Sequence, residues 1–137
     1  MQQTYQQTLA APVSYSGIGL HSGKNVNMCM LPAEVDTGIV FIRTDLPDKP
    51  EISAKPANVS STLKATTLSE NGAEVFTVEH LMAALSMMGI DNCRIEMDSP
   101  EPPVTDGSSG VFADLILEAG RKTQAAPRKV YALDRAF

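Results

Sequence analysis

Thr77–Asn92 reads TVEHLMAALSMMGIDN, and the reading of this stretch decides the architecture. Thr77 is a plausible N-cap and Gly89 a plausible helix end, and the good helix formers between them predict one helix over about Val78–Met88. After Glu79 and His80, Ser86 is the sole polar residue through Met88, so the helix keeps no face for water. Leu81, Met82, Leu85 and Met88 are more apolar surface than one small sheet covers, which predicts cover on a second side.

Glu79 and His80 occupy the first turn, about 100° apart around the axis, where both side chains reach one site beside the helix N-terminus. A carboxylate next to a metal-binding imidazole is what a hydrolase uses to hold an ion and deprotonate water, as in H-E-x-x-H enzymes. Taken alone the dipeptide reads more simply as an acid favoured by the positive end of the helix dipole, followed by a polar first-turn residue. The wider sequence has to decide between these readings.

At 137 residues and 14.7 kDa the chain predicts one domain, which buries about two-thirds of its unfolded surface. A formal charge of −5 and a pI near 4.9, with 11 scattered Lys and Arg, argue against nucleic acid or an anionic membrane as a partner. No apolar run is long enough for a transmembrane segment. Cys29 and Cys93 lack closely spaced partners and no leader follows Met1, which predicts free thiols in the cytoplasm.

Thr4–Val13 reads as a first strand, Gly17-Ile18-Gly19 as a turn, and Val26, Met28 and Met30 alternate as a half-buried second strand. Gly17–Lys24 is not a phosphate loop: the glycine spacing is one residue too long, Asn25 replaces the Ser or Thr, and a strand follows. His21 in this turn is a secondary candidate outside the catalytic set. Ile39–Ile42 predicts a strand buried on both faces. Ile52–Ala54 and Val59–Leu68 are shorter strand candidates, Ser60–Thr67 reading either as a wet edge or as a substrate-facing segment.

Cys93, Ile95 and Met97 alternate with Arg94, Glu96 and Asp98 as a strand with one wet face. The Asp106-Gly107-Ser108 turn then opens a helix over Gly110–Ala119, with Val111, Leu115 and Phe112 as candidate inward residues. Asp106 reads as a turn and capping carboxylate. Arg121–Arg128 reads as a polar linker and Lys129–Leu133 as the start of another apolar alternation. The class is α+β, one mainly antiparallel sheet with two helices packed on one face.

SGIGLHSGK at Ser16–Lys24, TGIVFIRTDL at Thr37–Leu46, ATTL at Ala65–Leu68, TVEHLMAAL with GIDN at Thr77–Asn92, and PEPPVTDGSS at Pro100–Ser109 occur in one order. Together they closely resemble the N-terminal half of the zinc-dependent UDP-3-O-acyl-N-acetylglucosamine deacetylases of lipid A biosynthesis. The resemblance runs from about Thr8 to Lys129 and implies half of a two-domain α+β sandwich, helix layer against helix layer. It implies residues 1–126 as the N-terminal domain and 127–137 as the start of a linker or second domain.

The implied reaction is hydrolysis of the substrate acetamide with release of acetate. His80 matches the family's first zinc ligand and Glu79 its general base. Leu63 and Thr66 fall in the segment that approaches the metal and acyl chain, although Lys64 stands where that family often has a small or apolar residue. The remaining zinc ligands, a histidine and an aspartate in H-x-x-x-D spacing, belong to the family's second half and are absent here, so this half alone is expected to be inactive. UDP-3-O-acyl-N-acetylglucosamine and the missing C-terminal half are the implied partners. A non-catalytic module or truncated gene product, pairing with another chain through its helix face, is the alternative reading.

Overall fold

The computed structural model describes residues 4–135. Its ten strands and two helices run β1 (Tyr5–Leu9), β2 (Val13–Ile18), β3 (Asn25–Pro32), β4 (Ile39–Arg43), β5 (Glu51–Ser53), β6 (Val59–Ser61), β7 (Thr67–Glu70), β8 (Ala73–Phe76), α1 (Glu79–Met87), β9 (Cys93–Met97), α2 (Gly110–Ala119) and β10 (Arg121–Pro127). The class is α+β, as the sequence predicts. The single sheet of that prediction is instead three: β2-β3-β9-β4-β5, the hairpin layer β6-β7-β8, and the ribbon β1-β10.

Period-two alternation explains the main sheet. Val13 pairs with Met30, Met30 with Ile95, Ile95 with Phe41 and Phe41 with Ile52, which sets one apolar row across all five strands. All five belong to one buried core, together with Leu81 and Leu85 of α1 and Phe112 and Ile116 of α2. The opposite face carries Ser14, Cys29, Glu96 and Glu51, where Arg94 and Glu51 pair at 3.0 Å. β4 is buried on both faces, as its Ile39–Ile42 run predicts, because it lies inside the sheet and pairs parallel with β9.

Several local expectations are corrected. The predicted first strand Thr4–Val13 ends at Leu9, and of the predicted turn Gly17-Ile18-Gly19 the first two residues continue β2, so the turn begins at Gly19. Arg121–Arg128 is no linker, since β10 zips antiparallel onto β1 from Leu9–Arg121 to Tyr5–Pro127. Composition concealed this strand because a ribbon edge needs backbone pairing rather than an apolar face. The alternation at Lys129–Leu133 forms no strand, and Val130, Tyr131 and Leu133 are exposed. The end of the predicted 127–137 segment, Ala136 and Phe137, lies outside the described residues.

α1 is covered better than its composition suggests. Leu81, Ala84 and Leu85 are buried, Met82 and Met88 pack against the core, and α2 lies alongside. The outward residues are Ala83, Ser86 and Met87, with Met87 68% exposed. On α2 the inward residues are Phe112, Leu115 and Ile116, while Val111 is only half-buried. Gly89 ends α1 with φ +71°, the left-handed conformation that a helix-terminating glycine supplies.

The GIDN sequence after α1 is a structural joint. Asn92 donates from Nδ2 to Gln6 Oε1 and Gln124 Oε1, both at 2.8 Å, and accepts from the Gly38 amide at 2.9 Å. Asp91 accepts from the Gln7 amide at 2.8 Å and pairs with Arg128. These bonds fasten the β1-β10 ribbon to the end of α1 and to the main sheet.

Candidate active site

The α1 N-terminus is built from three segments far apart in the chain. Thr77, the residue leading into it, has φ +58°, a conformation that a β-branched residue adopts only when its surroundings impose it. Its amide donates to the Thr66 carbonyl at 3.0 Å and the neighbouring Phe76 amide donates to the Pro100 carbonyl at 2.9 Å. The predicted N-cap role is therefore corrected: Val78 is the N-cap residue and makes no side-chain cap, while the Thr77 hydroxyl is committed elsewhere. Glu79 is exposed and His80 half-buried in the first turn.

Of the predicted substrate residues, Thr66 lies against this turn and donates its amide to Glu79 Oε1. Leu63 is 85% exposed at the tip of the same segment, and Lys64 has φ +64°. The β7-β8 hairpin, which the sequence reading did not separate out, carries Thr66 and Thr77 at its two open ends and so brings them together.

The turn Gly19–Lys24 docks on the same end of α1. Glu101, between Pro100 and Pro102, has no exposed surface and gathers four donors. The His21 amide reaches Oε1 at 2.9 Å, the Ser22 amide Oε1 at 3.1 Å, the Thr77 hydroxyl Oε2 at 2.7 Å, and His21 Nδ1 lies 2.9 Å from Oε2. Burial pushes the Glu101 carboxyl up, but the hydrogen bonds from Thr77, Ser22 and His21 outweigh it and hold it below the ordinary carboxylate value. Gly19 makes room for this, because a Cβ there would collide with Glu101 Oε1 and Ser22 Oγ. The His21 ring is 41% exposed and meets Phe76 edge-on with centroids 6.5 Å apart.

His21 and Glu79 thus belong to one connected network, running from Glu101 through Thr77 and Thr66. Sequence spacing gives no sign that the His21 turn joins the start of α1 or that Glu101 is what holds it there. The available signal was a carboxylate held between prolines in an irregular segment, with neither a helix face nor a strand face to account for it. Asp106 keeps the turn role read from the sequence, its Oδ1 accepting from the Ser108 amide at 3.0 Å and hydroxyl at 2.7 Å.

The donor set for a metal is partial. Glu79 and His80 are an acid and an imidazole in adjacent positions, yet among the described residues no three His, Cys, Asp or Glu side chains converge into a metal site. Cys29 and Cys93 add nothing, since they face opposite sides of the sheet and burial pushes the Cys93 thiol up to about 12.

The fold and the site define an α+β domain that carries an acid–imidazole pair at the mouth of its central helix, braced by a buried glutamate. The chain belongs to the UDP-3-O-acyl N-acetylglycosamine deacetylase family, LpxC, whose profile matches residues 6–137. It is 48% identical over 130 residues to a UDP-3-O-acyl-N-acetylglucosamine deacetylase of Hahella chejuensis, covering 95% of this chain and 43% of that protein. The corresponding enzyme of Myxococcus xanthus is 49% identical over 131 residues, covering 96% and 42%. A bifunctional LpxC/FabZ enzyme of Chlorobaculum tepidum is 45% identical, covering 97% of this chain and 28% of its own length. The chain spans less than half the length of these relatives.

Proposed function

We propose that this chain supplies the N-terminal portion of a zinc-dependent hydrolase that removes acetate from UDP-3-O-acyl-N-acetylglucosamine in the cytoplasm, at the committed step of lipid A biosynthesis. The observation that carries the reading is the Glu79–His80 pair in the first turn of α1, reached by Thr66 and bordered by the His21 turn. Residues 1–126 act as one domain, and 127–137 lead toward the portion that completes the site.

His80 contributes one imidazole to the metal. When bound, zinc acts as a Lewis acid and lowers the pKa of water to about 7. Glu79 is the base that accepts a proton from the attacking water, and its exposure leaves the carboxylate accessible to that water. Thr66, whose amide holds Glu79 Oε1, fixes the base and borders the substrate, and Leu63 offers an apolar surface to the acyl chain. The isolated chain is inactive because its ligand set is incomplete.

The test joins this chain to the C-terminal portion of a relative and measures acetate release from UDP-3-O-acyl-N-acetylglucosamine. Activity in the joined protein, abolished by Glu79→Gln and by His80→Ala and absent from either part alone, is the expected result. Full activity of the isolated chain, or of the Glu79→Gln protein, would overturn it.

A further inference from the structure

Glu101 is the most thoroughly buried carboxylate of the described chain, and nothing in the proposed hydrolysis uses it. Four donors converge on its two oxygens from segments that are 80 and 24 residues away in sequence. One of them is His21 Nδ1, 2.9 Å from Oε2 and 3.0 Å from the Thr77 hydroxyl.

The protons can be assigned from this geometry. The Thr77 hydroxyl has one hydrogen, and its 2.7 Å contact directs that hydrogen to Glu101 Oε2. A bare Nδ1 lone pair would then face both the carboxylate oxygen and the hydroxyl lone pairs, a repulsive arrangement. The hydrogen therefore lies on Nδ1 and points at Glu101, and the neutral ring carries its free lone pair on Nε2. The unconstrained histidine side chain in water favours the opposite tautomer.

We infer that Glu101 is a positioning residue: it fixes His21, whose Nδ1 touches Thr77 at the start of α1, in the Nδ1–H form, so that Nε2 is left as an acceptor for a hydroxyl or amide N–H of the substrate. The inference rests on the reading of Glu79 and His80 as the hydrolytic pair. Two further features hold Glu101 in this arrangement. Gly19 has no side chain where one would strike Glu101, and Thr77 is held at positive φ with its hydroxyl on the same carboxylate. Meanwhile the ring remains partly open to solvent instead of being spent in the core.

The tautomer is measurable on the chain itself, without substrate or metal. Two-bond 1H–15N spectra of 15N-histidine-labelled protein at alkaline pH resolve both histidines, and His21→Gln assigns them. The wild-type chain is expected to show His21 as Nδ1–H, and Glu101→Gln to move it toward Nε2–H with an otherwise native amide spectrum. A wild-type Nε2–H signal overturns the inference. Should Glu101→Gln fail to fold, Thr77→Val decides: retention of Nδ1–H supports Glu101 as the holder, and its loss transfers the role to Thr77 and overturns the inference.

In the completed enzyme, Glu101→Gln is expected to lower turnover by about tenfold or more, the range for residues that orient a functional histidine from behind. Full turnover with a reversed tautomer overturns the positioning role. If Glu79→Gln also leaves turnover intact, the hydrolytic reading fails instead, whatever the tautomer.

Discussion

Glu79 and Glu101 are both carboxylates at one helix end, but their surroundings assign them opposite work. Glu79 is exposed and held by one backbone amide, whereas Glu101 is sealed off and satisfied by four donors. In the completed enzyme Glu79→Gln should reduce turnover by about 10²–10⁴-fold while metal content stays constant, since it removes a base and no ligand. Metal loss in that variant, read by elemental analysis, would make Glu79 a ligand. Glu101 predicts a pH dependence. Its native pKa is depressed, so its stabilisation is complete above the unfolded value of about 4.3 and is lost as pH falls through the lower native one. The protection of the His21 and Ser22 amides against hydrogen exchange, taken relative to the intrinsic rate at each pH, should therefore fall on acidification below about pH 4.3, and less so in Glu101→Gln. The sequence exposed Glu79 and His80 because they are adjacent on one helix, where spacing translates directly into proximity. It concealed Glu101 and the partnership of His21 because the contact joins two loops, and loops carry no period from which a partner can be computed.

At the level of elements, legibility followed burial on one face. α2 has the bounds predicted for it and β9 ends one residue short of the predicted Asp98, since the alternation from Cys93 and the Asp106–Ser108 turn before Gly110 are local signals. β10 is illegible in composition because Arg121–Pro127 is mostly polar and is held by pairing with β1, a relation between the two ends of the described chain. β8 is hidden for a related reason, being only four residues long and fixed by its hairpin with β7. The joint at Asn92 makes the ribbon testable. Asn92→Ala strands Gln6, Gln124 and the Gly38 amide without their shared partner in a buried place, and should cost about 3 kcal/mol in denaturant unfolding. A loss under about 0.5 kcal/mol would mean that the ribbon is fastened by something other than this amide. Gly19→Ala tests the second joint. Its methyl collides with Glu101 and Ser22, so it should destabilise by about 1–3 kcal/mol and, in the completed enzyme, lower turnover alongside.

For the whole molecule, the helices turn their apolar surplus outward at Ala83, Met87 and Leu117, with Leu117 59% exposed, while Glu79 and His80 lie at one end of α1. The described chain has no helix long and apolar enough to cross a membrane. Under the proposed reading His80 is one ligand of a set that no other described side chains complete. This makes zinc retention the sharpest prediction for the chain by itself. Catalytic zinc takes three protein ligands plus water, whereas the chain has only His21 and His80 as imidazoles, and His21 is engaged through Nδ1 with Glu101 and Thr77. A Cys29–Cys93 contribution is blocked by their opposite facing and by the cost of ionising Cys93 in the core. Dialysis against a weak chelator should therefore strip the isolated chain, and a separately expressed C-terminal portion should restore one tightly held zinc per complex, lost again in His80→Ala. Retention of one equivalent by the isolated chain, abolished by His80→Ala, would show instead that this domain assembles a complete metal site around α1 without help.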